Sequence, residues 1–279
     1  MNTFLSRFDA MADKAAAQVI AQYSTSFSLA VRTLPNPERT HIRNLYAVVR
    51  IADEIVDGTT TQANECPETA LDLYEEQVLH APAHRFHTDP VLHAWARTYR
   101  ECHLNPEHMQ AFFASMRADL TQTEFTPQLL DTYIHGSAEV IGLMCLDIFL
   151  CGRDTPHRRE LEEGARALGS AFQKVNFLRD LGEDSRALGR AYFNAPLDDD
   201  LKSTLTSQIA DELDRAHTAI PLLPPAARGG VAAAEALFRE LNARIAATPA
   251  AELHTTRVRV PNHLKVALTA KALANSRKP

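Results

Sequence analysis

Two pairs of aspartates, each four residues apart and each beside an arginine, carry the chemistry legible in this 279-residue chain. Asp53 and Asp57 lie in YAVVRIADEIVDG, and Asp180 and Asp184 lie in QKVNFLRDLGEDSRALGRAY. On a helix, four-residue spacing puts both carboxylates of a pair on one face, one turn apart. Tyr46, Arg50, Asp53 and Asp57 then form one stripe, and Gln173, Asn176, Asp180 and Asp184 form a second. Facing each other, the stripes would enclose hard oxygen ligands with Arg50 and Arg179 at the edge, a set suited to Mg²⁺ and the phosphates it bridges.

An isolated Asp-x-x-x-Asp usually lines a solvated helix face. Both pairs here sit among apolar residues: Val48, Val49, Ile51, Ile55 and Val56 around the first, Val175, Phe177, Leu178 and Leu181 around the second. A helix apolar nearly all round is buried, and buried like charges need a compensating cation or a proton. That favours the metal reading. A di-iron bundle would need Glu-x-x-His on two helices, and the sequence offers that tetrad once, at Glu38–His41. His80, His84 and His87 read as a surface loop, because Pro82 interrupts helical histidine spacing and no cysteine or glutamate completes a zinc set. The run Asp198–Asp200 reads as a helix start.

The elements that must position these stripes are helices. A capping residue followed by proline occurs at Asn36-Pro37, Asp89-Pro90, Asn105-Pro106, Thr126-Pro127 and Thr155-Pro156, the arrangement of an N-cap followed by the first helical residue. Gly58 and Gly152 stand where the helices beginning at Pro37 and Pro127 should stop. Apolar residues recur at helical spacing between these marks, as in Leu71, Tyr74, Val78 and Leu79. The expected helices are 9–31, 37–57, 67–81, 90–103, 106–118, 127–151, 156–184, 199–218, 228–247 and 261–274. Strand-like alternation is confined to Arg257–Val260, too short for a sheet. The segment Asp184 to Pro196 reads as a loop beside the second acidic pair, and Pro221, Pro224 and Pro225 break the chain again. The fold class is all-α, with residues 1–279 as a single domain.

Composition narrows the class. Hydrophobic residues make up 45% and charged residues 23% of the chain, ordinary for a globular protein with a sizeable core. A formal net charge of −6 argues against a nucleic-acid partner, which usually meets a basic excess. The N-terminus lacks the apolar run of a signal peptide, and the stretch Val140 to Cys151 is too short to cross a bilayer. Cys66, Cys102, Cys145 and Cys151 show no CxxC spacing and read as free thiols, so a cytoplasmic location is expected. Near the C-terminus Arg257, Arg259, His263, Lys265, Lys271, Arg277 and Lys278 flank Leu264, Leu268 and Leu273. This reads as a core-packing helix with a basic tail, in preference to a helix making peripheral membrane contact.

Taken together, the motifs resemble the squalene/phytoene synthase family, and the resemblance covers most of the chain. It runs from Tyr23-Ser-Thr-Ser-Phe27 through Tyr46-x-x-x-Arg50-x-x-Asp53-x-x-x-Asp57 and Tyr133 to Met144, then Gln173-x-x-Asn176-x-x-Arg179-Asp180-x-x-x-Asp184 and Gly189-Arg190-x-Tyr192. The resemblance implies that Asp53, Asp57, Asp180 and Asp184, with Asn176, hold Mg²⁺ (Mn²⁺ as a substitute) bridging two prenyl diphosphates. It further implies that Arg50, Arg179 and Arg190 contact diphosphate oxygens, with Ser24, Ser26, Gln173 and Asn176 adding polar contacts. Phe27, Tyr46 and Tyr133 would line the path of the prenyl carbocation, and Tyr192 would join the substrate contacts.

The form DEIVDG is more similar to phytoene synthases than to squalene synthases. The resemblance therefore implies head-to-head condensation of two geranylgeranyl diphosphates to phytoene, without NADPH. A squalene or dehydrosqualene synthase acting on farnesyl diphosphate, another class I terpene synthase and an inactive helical adaptor remain as alternatives. Tyr23 stands where relatives often carry histidine, Glu139 where glycine is common, and Phe238 where some carry a cavity tyrosine.

Overall fold

The computed structural model describes residues 3–122, 125–187 and 197–276, the side chains of 183–187 excepted. Its helices are α1 (Phe4–Tyr23), α2 (Thr25–Arg32), α3 (Glu38–Val56), α4 (Thr59–Gln62), α5 (Pro67–His80), α6 (Pro90–Cys102) and α7 (Pro106–Thr121), followed by α8 (Pro127–Ile134), α9 (Val140–Leu150), α10 (Arg158–Ala187), α11 (Asp199–Ala219), α12 (Pro225–Ala247), α13 (Ala250–Leu253) and α14 (Asn262–Ser276). The described residues contain no strand, as the all-α reading requires. Val258 and Val260 are buried between exposed Arg257 and Arg259, so the alternation is real, but no partner strand meets it.

The capping signals work as local chemistry demands. Asp89 Oδ1 accepts from the Val91 and Leu92 amides at 2.7 and 2.9 Å, Asn105 caps α7 and Thr126 caps α8. Two Pro signals depart from the expected position. The Asn36–Pro37 peptide is cis and Pro37 precedes α3, and residues 156–157 form a turn before α10 opens at Arg158. Gly58 and Gly152 do follow α3 and α9 with φ of 110° and 72°, a conformation glycine adopts without strain.

Two expected helices are interrupted. The first breaks at Ser24, which is extended while its Oγ accepts from the Phe27 amide at 3.2 Å and caps α2; hydroxyl side chains offer the backbone this alternative to helix. The second carries a π turn at His135–Glu139 between α8 and α9. There α7 and α10 press in from both sides: a Cβ on Gly136 would lie 2.4 Å from the Ala111 carbonyl oxygen, and one on Gly169 would lie 2.4 Å from that of Ala138. The continuous helical run Pro127–Leu150 is long and apolar enough to span a bilayer by length and composition, beyond what the Val140–Cys151 stretch alone suggested. Two-thirds of its most apolar window is buried inside the protein.

Two cores form. One joins α1, α3, α5–α7 and α9 around Trp95, Phe112, Phe113 and Met144; the other joins α10–α13 around Val175, Leu178, Ile209, Leu213 and Ile245. From α14, Leu264 and Leu268 pack on the second core, so its apolar stripe faces inward. His80 ends α5 with Nδ1 on the Glu76 carbonyl, and Pro82 sits in the 3₁₀ turn Ala81–Ala83 that follows. The π turn predicts its own test. Gly169→Ala should destabilise the protein by about 1–3 kcal/mol through overpacking, read as a lower urea midpoint with an unchanged slope.

Candidate active site

Between the two cores lies a cavity of about 740 Å³, in the upper part of the range typical of small-molecule pockets. Its ends differ in chemistry because each wall helix changes composition along its length. α3 contributes Ile42 and, eleven residues on, Asp53; α10 contributes Leu161 and, nineteen residues on, Asp180. At 1.5 Å per residue these separations are about 16 and 28 Å. Leu34, Ile42, Phe149, Leu161 and Leu223 line the apolar part, while Arg50, Asp53, Asp57, Asp119, Arg179, Asp180 and Arg257 line the mouth.

On the α3 side Arg50 gathers the carboxylates. Its Nη1 is 3.8 Å from Asp53 and its Nη2 3.9 Å from Asp57, while Nη2 bonds Glu54 directly. Burial opposes the Arg50 charge, but Glu54, Asp53 and Asp57 outweigh it and hold the guanidinium above its ordinary pKa. Asp53 has 32% of its side-chain surface accessible, and that surface belongs to the cavity wall. Burial pushes its carboxyl up to about 8; Asp57, Asp119 and Glu54 add repulsion, which Arg50 only partly relieves. Burial likewise raises the Tyr46 hydroxyl to about 12.

On the α10 side Asp180 is held by arginine from two elements. Arg179 Nε donates to Oδ1 at 2.9 Å, and Arg257, from the extended segment after α13, approaches the same oxygen at 3.0 Å. Lys265 of α14 donates to Thr25 Oγ1 at 3.0 Å, and burial with neighbouring Arg179 and Arg259 lowers its pKa. Aromatic faces line the walls. Phe27 stacks on Tyr46 at 5.6 Å and Tyr133 lies 6.1 Å from Phe177, while Phe172 and Phe238 stack at 3.7 Å.

The cavity brings together twelve residues expected from sequence: Ser24, Ser26, Phe27, Tyr46, Arg50, Asp53, Asp57, Tyr133, Gln173, Asn176, Arg179 and Asp180. The backbone of Asp184 continues α10, but its side chain, Arg190 and Tyr192 lie outside the described residues. Sequence reasoning missed Asp119 and Arg257. Asp119 accepts from the Tyr133 hydroxyl at 3.0 Å; a lone acid between Met116 and Leu120 was the available signal. From sequence, Arg257 reads as part of the basic C-terminal run.

Among the described residues, no three His, Cys, Asp or Glu side chains are gathered into a preformed metal cluster. Mg²⁺ does not require one, since it uses one or two carboxylates together with water and substrate phosphate oxygens. The donor set fits it: all oxygen, partly desolvated, and carrying more negative charge around Asp53 than Arg50 neutralises. Asp53, Asp57, Asn176 and Asp180 are the residues that could hold such an ion.

Fold and site define an all-helical protein whose cavity pairs an apolar interior with an acidic, arginine-lined mouth. The sequence matches the squalene/phytoene synthase family over residues 20–263, and the chain belongs to that family. It is 34% identical over 191 residues to a phytoene synthase of Arthrospira platensis, covering 65% of this chain and 60% of that protein. It is 31% identical to a 4,4'-diapophytoene synthase of Staphylococcus haemolyticus, covering 71% and 66%, and 28% identical to a 15-cis-phytoene synthase of Synechococcus elongatus, covering 80% of each. The match thus spans under two-thirds of the Arthrospira and Staphylococcus proteins. The fold is also that of a dehydrosqualene synthase solved with a ligand, at TM-score 0.79 and 22% identity over 97% of this chain and 98% of that one.

A pH dependence follows from Asp53. Folding raises its pKa from 3.8 to about 8, so the folded state holds the proton more tightly than the unfolded one. Metal-free protein therefore loses stability as pH rises through that window. Asp53→Asn has no proton to lose. In thermal scans with chelator it should melt higher than the unsubstituted chain at pH 8, with the gap narrowing toward pH 4. A gap of equal size at both pH values would contradict the buried carboxyl.

Proposed function

We propose that this protein is a prenyltransferase that condenses two prenyl diphosphates head to head in the presence of Mg²⁺, with geranylgeranyl diphosphate as substrate and phytoene as product. The observation that carries this reading is one cavity with both chemistries in it: a mouth of arginines and carboxylates continuous with a long apolar interior. An allylic diphosphate ionises only if the charge growing on the leaving group is neutralised. Bound Mg²⁺ would supply Lewis-acid neutralisation of those oxygens.

The chain's own groups do the rest. Arg50, Arg179 and Arg257 turn donors toward the departing diphosphate, with Gln173 and Asn176 orienting it from the same face of α10. The Phe27, Tyr46 and Tyr133 rings present their faces to the carbocation, and the closed apolar walls keep water from quenching it. Loss of the first diphosphate, carbon–carbon bond formation and loss of a proton would give a cyclopropyl diphosphate (prephytoene diphosphate); a second ionisation, rearrangement and a second proton loss would give the hydrocarbon. No electron is transferred from outside, so the reading needs no NADPH. Four free thiols accord with a reducing cytoplasm, and release of an oily product brings peripheral membrane contact into the same reading.

A second reading takes farnesyl diphosphate to a C30 hydrocarbon, and the 31% identity to a 4,4'-diapophytoene synthase supports it. Product mass separates the two. Purified protein with Mg²⁺ and each diphosphate, with and without NADPH, should give a C40 hydrocarbon from geranylgeranyl diphosphate alone. A C30 product moves the assignment to the second reading, and no product from either substrate removes both. Asp53→Ala and Asp180→Ala should each lower turnover by roughly a hundredfold or more while the circular-dichroism spectrum stays helical.

A further inference from the structure

Arg50 is held in place by two residues outside the acidic stripes. The ring of Tyr23, the last residue of α1, covers the flat face of the guanidinium at 4.6 Å. Glu54 bonds its Nη2 edge, and the other Glu54 oxygen accepts from Thr59 Oγ1 at 2.6 Å. One carboxylate thus ties the guanidinium to the start of α4. Meanwhile the Arg50 Nε–H is buried and has no hydrogen-bond partner among the described residues. A buried donor left unsatisfied is a position where an incoming oxygen gains most.

We propose that Tyr23 and Glu54 are positioning residues: they fix the plane of Arg50 before substrate arrives, so that its remaining donors meet the diphosphate without first being ordered. Stacking defines the plane of the guanidinium and the Glu54 bond defines its rotation about that plane. Pre-ordering a long side chain removes an entropic cost from binding. It does not alter the apolar interior. The effect therefore falls on recognition of the headgroup more than on the chemical step, which is a KM effect. The inference rests on the reading that the mouth takes a diphosphate.

The test compares Tyr23→Ala, which removes ring and hydroxyl, Tyr23→Phe, which keeps the stack, and Tyr23→Trp, which offers a larger face. Tyr23 is half exposed at a helix end, so these changes leave both cores intact. Each full-length variant is assayed for KM and kcat with a prenyl diphosphate, and for the rise in melting midpoint given by Mg²⁺ with inorganic pyrophosphate. Tyr23→Ala should raise KM roughly three- to tenfold, the scale of a cation–π contact, with a smaller change in kcat and a reduced pyrophosphate shift. Tyr23→Phe and Tyr23→Trp should recover most of both. If KM and the pyrophosphate shift of Tyr23→Ala match the unsubstituted chain, or if kcat falls while KM stays put, the positioning role is overturned and the diphosphate reading stands. If the unsubstituted chain itself gives neither a pyrophosphate shift nor product, both are overturned.

Discussion

Negative charge held inside a helical wall is the constraint on which the rest of this structure depends. Asp53, Asp57 and Asp119 converge near one another and near Glu54, and burial drives Asp53 toward its neutral form. Such a cluster persists only beside cations. The protein supplies them as arginines, Arg50 on one wall and Arg179 with Arg257 on the other. These are the cations that a diphosphate would recruit, so the resting ion pairs and the binding role use the same groups. Arginine suits both, since it keeps its charge when buried and donates from several edges of one plane.

Around that mouth, each structural irregularity has a local cause. Ser24 ends α1 by offering its hydroxyl to the next helix, and the break brings Tyr23, Ser24, Ser26 and Phe27 to the cavity rim together. Gly136 and Gly169 let α7 and α10 approach the chain so closely that a methyl group would collide with backbone oxygen. The outer helices α5, α6 and α14 bury their apolar faces against this framework and contribute little to the cavity surface.

The acidic stripes were legible in the sequence because helical spacing and an apolar setting both act locally, and Asp53, Asp57 and Asp180 were found that way. So were most helix starts, since Asp89, Asn105 and Thr126 cap amides two or three residues on. What escaped depended on packing between distant segments. Arg257 reaches Asp180 from 77 positions further along the chain, and nothing in its own neighbourhood marks it for the site. Asp119 becomes a site residue only when α7 lies beside α3. The Ser24 break was missed because apolar periodicity continues across it, and the π turn because no residue type signals one.

That π turn bears on how one helix can serve the whole cavity. Tyr133, Ser137, Ile141, Cys145 and Phe149 line it at intervals of four. An α-helix turns once in 3.6 residues, so each step of four overshoots by about 40° and four steps by about 160°. Wound uniformly, the chain would present Tyr133 to the cavity and Phe149 nearly to the opposite side. A single wider turn at His135–Glu139 winds part of that angle back. The rotational phase of one helix, corrected once, thus lets a single rod line the cavity from its acidic mouth to its apolar end.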